Sequence, residues 1–184
     1  EEERVVPASA DRHSIMEKIK RLAVEAGERY DINPSLILAV IKSESGFDPN
    51  QISDKGAVGL MQIIPRYTEY TAEQLKDPET NVFTGAKILK DNIKQFGSVK
   101  RALEAYNAGG SRVSDGSVPE STHVYVRRTM QNYVSFLMKE RISEGYDVAY
   151  KKVLRDGSLI LVGFVGMPNM IRGNSSVILG NATA

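Results

Sequence analysis

The sequence predicts a mainly α-helical fold with a small β appendage at its C-terminal end. Three observations carry that prediction. Apolar residues recur at helical spacing through most of the chain up to Gly145; the breaks between these runs hold cap residues, prolines and glycines; and after Gly145 the period gives way to two valine- and leucine-rich runs around Asp156 and Gly157. At 184 residues and 41% hydrophobic content, the chain has the size and apolar share of a single globular domain with a real core.

Each element has a local cause. Ser14 and Glu17 make an S-x-x-E capping box, and Ile15, Ile19, Leu22, Ala23 and Ala26 follow at helical spacing as far as Gly27. A surface helix is therefore expected from Ser14 to Gly27, with residues 1–13 as an N-terminal arm. Asn33 and Pro34 supply a cap and a first-turn proline, and Leu36, Ile37, Leu38, Ala39, Val40 and Ile41 are apolar all round, so the second helix should be central. Asp77 and Pro78 open a third helix with Val82, Ala86, Leu89, Ile93 and Phe96 along one face, and Ser98 opens a fourth that ends on Gly109 and Gly110. The stretch "GGSRVSDGSVPE" reads as a loop. From about Thr122 to Glu144, Val126, Met130, Tyr133, Val134 and Leu137 keep the period of a last long helix.

These elements divide the chain into the arm, a helical domain over 14–145, and an appendage over 146–184 whose signal is a β-hairpin turning at Asp156 and Gly157. A β appendage on the helical body is one reading of that tail; an arm that binds a protein partner is the other.

Charge and composition exclude several classes of function. Lysines and arginines number 24 against 23 acids, and a net charge of +1 gives no footprint for nucleic acid or an acidic membrane. With no cysteine and only His13 and His123, the chain lacks a disulfide frame and a thiolate metal site, and no metal is expected. No apolar run reaches the roughly 18 residues of a spanning helix. The chain begins at Glu1 rather than Met, from which an upstream segment such as a cleaved export signal is expected.

The chemistry concentrates at the end of the second helix, where "PSLILAVIKSES" delivers Glu44 just before Ser45 and Gly46. A carboxylate there faces the negative end of the helix dipole, and apolar neighbours strip its water. Both effects favour the protonated form. Such a group suits general acid catalysis near neutral pH. Taken alone, Glu-Ser-Gly also fits a solvated helix end.

Farther on come "FDPNQISDKGAVGLMQIIP", "EAYNAGGSRV" and "HVYVRR". In this order and spacing, the E-S-G, G-L-M-Q, A-Y-N and Y-V motifs resemble the lytic transglycosylases of bacterial cell walls, in particular the soluble type, whose fold is related to goose-type lysozyme. The resemblance runs from about Ile19 to Val134. It implies a lysozyme-like helical fold, peptidoglycan glycan strands as substrate, no cofactor, and a place in the periplasm or cell envelope.

By this resemblance Glu44 is the single catalytic acid and base. Ser53 matches a polar residue that contacts the muramyl sugar, and equally suits a turn in "QISDKG". Met61 and Gln62 would line the groove, with core filler and a backbone-bonding amide as their alternatives. Tyr106 and Asn107 match A-Y-N, the tyrosine near the acid and the asparagine at a helix end, and Tyr125 matches the tyrosine of the last motif. The glutamate, threonine and arginine usual before that tyrosine appear here as Ser121, Thr122 and His123, with Glu120 displaced by one position, and Gly110 stands where proline is common. Tyr67 and Tyr70 read first as packing residues, and Asp48 and Asp54 as turn residues. The implied reaction cuts the bond between N-acetylmuramic acid and N-acetylglucosamine and closes a 1,6-anhydro ring. A hydrolytic lysozyme and a non-catalytic peptidoglycan-binding scaffold are the alternatives.

Overall fold

The computed structural model describes residues 8–143 together with 147–153, 160–165 and 175–179. The chain divides into two compact units, residues 1–86 and 87–184.

In the first unit, helix α1 spans Ala8–Tyr30 and helix α2 spans Pro34–Glu44. Helix α1 begins upstream of Ser14, so the expected capping box does not form: Ser14 lies inside the helix, and Glu17 instead pairs with Lys20 at 2.7 Å. Nor does Gly27 stop the helix. The chain folds back after Tyr30, with Asp31 at φ 51°, and the Ile32 N–H donates to Gly27 O at 3.0 Å. A Cβ on Gly27 would stand 2.7 Å from Ile32 O, so glycine is required for this close approach.

Helix α2 starts as expected. Asn33 Oδ1 accepts the Ser35 N–H at 2.8 Å, and Pro34 opens the first turn. Leu36, Ile37, Ala39, Val40 and Ile41 are buried, and α1 packs on this helix with Ile19, Leu22, Ala23 and Ala26 also buried. Burying one such isoleucine or leucine stabilises the fold by about 1.5–3 kcal/mol.

Between α2 and the third helix the chain makes a small β-like crossing, Ile52 bridging Val58 and Val58 bridging Ile63, followed by 3₁₀ turns at Pro65–Tyr67 and Gln74–Lys76. Helix α3 spans Pro78–Phe96. Asp77 Oδ2 accepts the Thr80 N–H at 2.8 Å and the Thr80 hydroxyl at 2.9 Å. The Thr80 N–H is the main reason the Asp77 carboxyl titrates below its usual range.

The second unit takes up α3 from Lys87 and adds helix α4, Val99–Ala108, capped by Ser98 Oγ on the Arg101 N–H at 3.3 Å. Gly109, at φ 89°, ends it. A short helix α5, Gly110–Ser114, stands where a loop was expected. Buried Val113 gives that turn an apolar anchor, and Arg101 Nη2 donates to Val113 O at 3.2 Å. Helix α6, Glu120–Ser143, buries Val126, Met130, Tyr133, Val134 and Leu137 and packs with α4. Burial, and secondly the charge of Glu140, push the Tyr133 phenol up to about 12.

Three strands follow: β1 Asp147–Val153, β2 Ile160–Val165 and β3 Ser175–Leu179. They pair antiparallel in the order β1-β2-β3, Val153 opposite Ile160 and Ile160 opposite Leu179. The turn expected at Asp156 and Gly157 lies outside the described residues.

Candidate active site

Glu44 is the last residue of α2 and is half-buried. The helix closes behind it through the Ser45 N–H on Ile41 O at 3.0 Å and the Gly46 N–H on Lys42 O at 3.2 Å. Ser45 then does a second job. Its hydroxyl bonds Ile41 O at 3.2 Å and Leu60 O at 2.9 Å, tying the helix end that carries Glu44 to the 59–62 segment. Gly46 and Phe47 both take left-handed backbone, at φ 62° and 73°, and turn the chain sharply away. Such geometry is costly for a phenylalanine. Asp48 serves this turn, its carboxylate accepting the Asn50 N–H at 2.9 Å. Asp54 is exposed.

Ser53 is half-buried, and its hydroxyl accepts the Ala57 N–H at 3.0 Å while the Ser53 N–H donates to Ala57 O at 2.9 Å. This is the turn role that its sequence context allowed. The 59–62 segment is held more firmly. Gly59 has φ 76°, and a Cβ there would come within 2.4 Å of Asn81 Nδ2. Asn81, wholly buried, accepts the Met61 N–H at 2.7 Å and donates to Val58 O and Leu75 O at 2.8 Å each. Sequence reasoning missed this residue. Its one signal is a polar side chain directly before Val82 on the apolar face of α3.

Met61 requires a correction. It was expected to line the groove, but its side chain is 0% exposed. A Cβ on Gly85 would lie only 2.5 Å from its sulfur, so Met61 fills the core against that glycine. Gln62 is half-buried at φ 51°, a strained setting for a residue with a side chain. Its Nε2 donates to Gln51 O and Gly59 O, both at 3.0 Å, so the amide nitrogen holds backbone as its alternative reading had it. The amide oxygen makes no hydrogen bond to the described residues.

Tyr106, Asn107 and Tyr125 belong to the second unit. Tyr106 is half-buried in the last turn of α4, and Tyr125 is buried on α6 with the Arg128 guanidinium 6.0 Å from its ring centre. Asn107 is exposed at the end of α4, and its Oδ1 accepts the Thr122 hydroxyl at 2.7 Å, joining the A-Y-N segment to α6. One residue along, His123 Nδ1 stands 3.7 Å from Oε1 of buried Glu104. Glu120 is exposed, with Arg127 3.4 Å away.

The structure thus couples the helix end bearing Glu44 to the 59–62 segment in one unit, and Asn107 to Thr122 in the other. The sequence profile described as Transglycosylase SLT domain matches residues 21–118, a span that contains Glu44, Gln62, Tyr106 and Asn107. The chain belongs to the transglycosylase SLT family. A transglycosylase of Enterobacteria phage PRD1 is 34% identical over 112 residues, 58% of this chain and 40% of the phage protein. The soluble lytic murein transglycosylase of Salmonella typhimurium is 38% identical over 95 residues, 45% of this chain and 15% of that protein. This SLT chain therefore spans less than half the length of these relatives.

Among solved structures, the 70 kDa soluble lytic transglycosylase of Escherichia coli superposes with a TM-score of 0.61 at 27% identity, over 65% of this chain and 24% of that one. An inactive variant of lytic transglycosylase Slt from Pseudomonas aeruginosa gives a TM-score of 0.60 at 25% identity, over 66% of this chain and 24% of that one. The expected lysozyme-like, mainly helical fold agrees with these neighbours. Among the described residues no helix is long and apolar enough to cross a membrane.

Proposed function

We propose that this chain is a peptidoglycan lytic transglycosylase acting in the cell envelope, cleaving the β-1,4 bond between N-acetylmuramic acid and N-acetylglucosamine with Glu44 as its one acid and base. The observation that carries this reading is the placement of Glu44. It ends an apolar helix whose terminus is bonded, through Ser45 Oγ, to Leu60 of the G-L-M-Q segment. That tie bonds the helix end that carries the carboxyl to the G-L-M-Q segment.

The reaction uses one proton twice. Protonated Glu44 gives its proton to the glycosidic oxygen as the C1–O bond breaks and the glucosamine end leaves. The muramyl acetamido oxygen closes on C1 and supports the developing positive charge. Glu44, now a carboxylate, takes the proton of the muramyl O6 hydroxyl, and O6 bonds to C1 as the acetamido oxygen departs. No water is consumed, and Glu44 ends as it began. An oriented intramolecular hydroxyl competes with water because positioning gives effective molarities of about 10⁵ M or more.

Gln62 suits the acetamido sugar. With its nitrogen committed to two backbone carbonyls, the amide oxygen is left to accept from an acetamido N–H or a hydroxyl. Ser53, Tyr106, Asn107 and Tyr125 complete the substrate-contacting set in this reading. Hydrolysis by a second carboxylate is the less supported route: Asp48 accepts the Asn50 N–H within its turn, and Asp54 is exposed. Residues 14–145 form the catalytic domain, and 146–184 stand outside it as a β appendage.

The test is Glu44→Gln, nearly isosteric but unable to donate a carboxyl proton. It is expected to abolish clearing of murein in a zymogram while thermal unfolding stays within a few degrees of wild type. Near-normal clearing would overturn the assignment.

A further inference from the structure

Tyr67 departs from its sequence reading as a packing residue. It is 71% exposed, the most exposed large apolar side chain among the described residues. It is also held rigidly. Pro65 opens the 3₁₀ turn Pro65–Tyr67, the Tyr67 N–H donates to Ile64 O at 3.1 Å, and Thr68 closes the turn with its N–H and hydroxyl on Pro65 O at 2.9 and 3.1 Å. The same hydroxyl accepts the Tyr70 N–H at 3.2 Å, so the segment after the ring is fixed as well. An aromatic ring presented to solvent on a braced turn keeps its apolar area for a ligand.

Arg66 completes the feature. Its guanidinium lies 4.7 Å from the centre of the Tyr67 ring, and among the described residues it makes no ion pair. A guanidinium carries a planar fork of donors that matches a carboxylate. At most about 17 Å of chain separates Gln62 from Tyr67. A ring and a guanidinium side by side fit a polymer that offers sugar faces and carboxylates together.

We propose that Arg66 and Tyr67 form a subsite for the peptide-bearing part of the glycan strand: Tyr67 stacks on a sugar or peptide face, and Arg66 pairs with a carboxylate of the stem peptide. This subsite sets a preference for peptide-substituted strands, and it rests on the reading of the substrate as peptidoglycan. Removal of the peptide by an amidase leaves the sugar with a lactyl carboxylate, so the two possible sources of negative charge are separable.

The experiment compares soluble glycan strands that carry their stem peptides with strands stripped by an amidase. Binding is read by calorimetry in the Glu44→Gln background, which removes turnover, for the otherwise wild-type protein, Arg66→Ala and Tyr67→Ala. The otherwise wild-type protein is expected to prefer peptide-bearing strands, and Arg66→Ala to reduce that preference about tenfold with an unchanged unfolding temperature. Tyr67→Ala is expected to weaken binding to both preparations severalfold. If Arg66→Ala binds both preparations as wild type does, or loses affinity equally for both, the stem-peptide assignment is overturned. Zymograms of the same variants with Glu44 in place keep the subsite separate from the reaction: wild type that binds strands but leaves murein intact contradicts the proposed function, whereas wild type that clears murein while Arg66→Ala keeps the full preference contradicts only the subsite.

Discussion

Replacing Asn81 by alanine should loosen the segment to which the helix end carrying Glu44 is bonded. The side chain makes three buried hydrogen bonds, to the Met61 N–H, Val58 O and Leu75 O. The three losses are unequal. Val58 O also accepts the Ile63 N–H at 3.0 Å and keeps that partner, whereas the Met61 N–H and Leu75 O lose theirs. A buried polar group left unsatisfied costs about 1–3 kcal/mol, so the two together give about 2–6 kcal/mol. Domains of this size are stable by only about 5–15 kcal/mol. At about 2–4 °C per kcal/mol, the midpoint of thermal unfolding followed by circular dichroism should fall by about 4–24 °C.

Asn81→Asp sharpens the test. The carboxylate still accepts from Met61 but points its second oxygen at two carbonyl oxygens, so at pH 7 it should be no better than alanine. It should recover part of the loss at acid pH, where a protonated carboxyl can donate. A shift below about 1 kcal/mol for Asn81→Ala, or wild-type stability for Asn81→Asp at pH 7, would refute the claim that this amide braces the segment.

Two further predictions concern pH. The Asp77 carboxylate is held below its ordinary value of 3.8 chiefly by the Thr80 N–H, so its contribution is present above that value and is lost as the pH falls through the lower folded value. Asp77→Ala should therefore cost about 1 kcal/mol at pH 7, with the gap from wild type closing below pH 3.8 in urea titrations; a gap that persists in acid would point to packing instead. Tyr133 has the opposite sign. The unfolded chain releases that proton near 10.0 and the folded chain only near 12, so stability present below 10.0 is lost as the pH rises toward 12. Tyr133→Phe should remove about 2–3 kcal/mol of that alkaline loss, and matching alkaline limbs in the two proteins would contradict it.

Helix starts were legible because their causes are local. Asn33 with Pro34, Asp77 with Pro78, and Ser98 each bond within three residues, and the structure begins a helix at each. Ser14 misled for the same reason: a capping box describes four residues and is blind to a helix that begins at Ala8. Asn81 was invisible because its partners lie at 58, 61 and 75, which only folding brings together. Met61 and Tyr67 exchanged expected places, the first buried on Gly85 and the second exposed on a turn, since burial depends on which chain segment passes nearby. Gln62 had two candidate uses in the sequence, sugar binding and backbone bonding, and its nitrogen bonds backbone at Gln51 and Gly59, carbonyls that only folding brings to it.

The central claim is that one carboxyl, Glu44, drives ring closure rather than hydrolysis. Mass spectrometry of muropeptides from purified peptidoglycan digested by this protein tests it most directly. The account predicts products lighter by one water than reducing-end muropeptides and unchanged by borohydride, and neither kind of product from Glu44→Gln. Predominantly reducible ends from the wild-type protein would contradict it and make the chain a hydrolase.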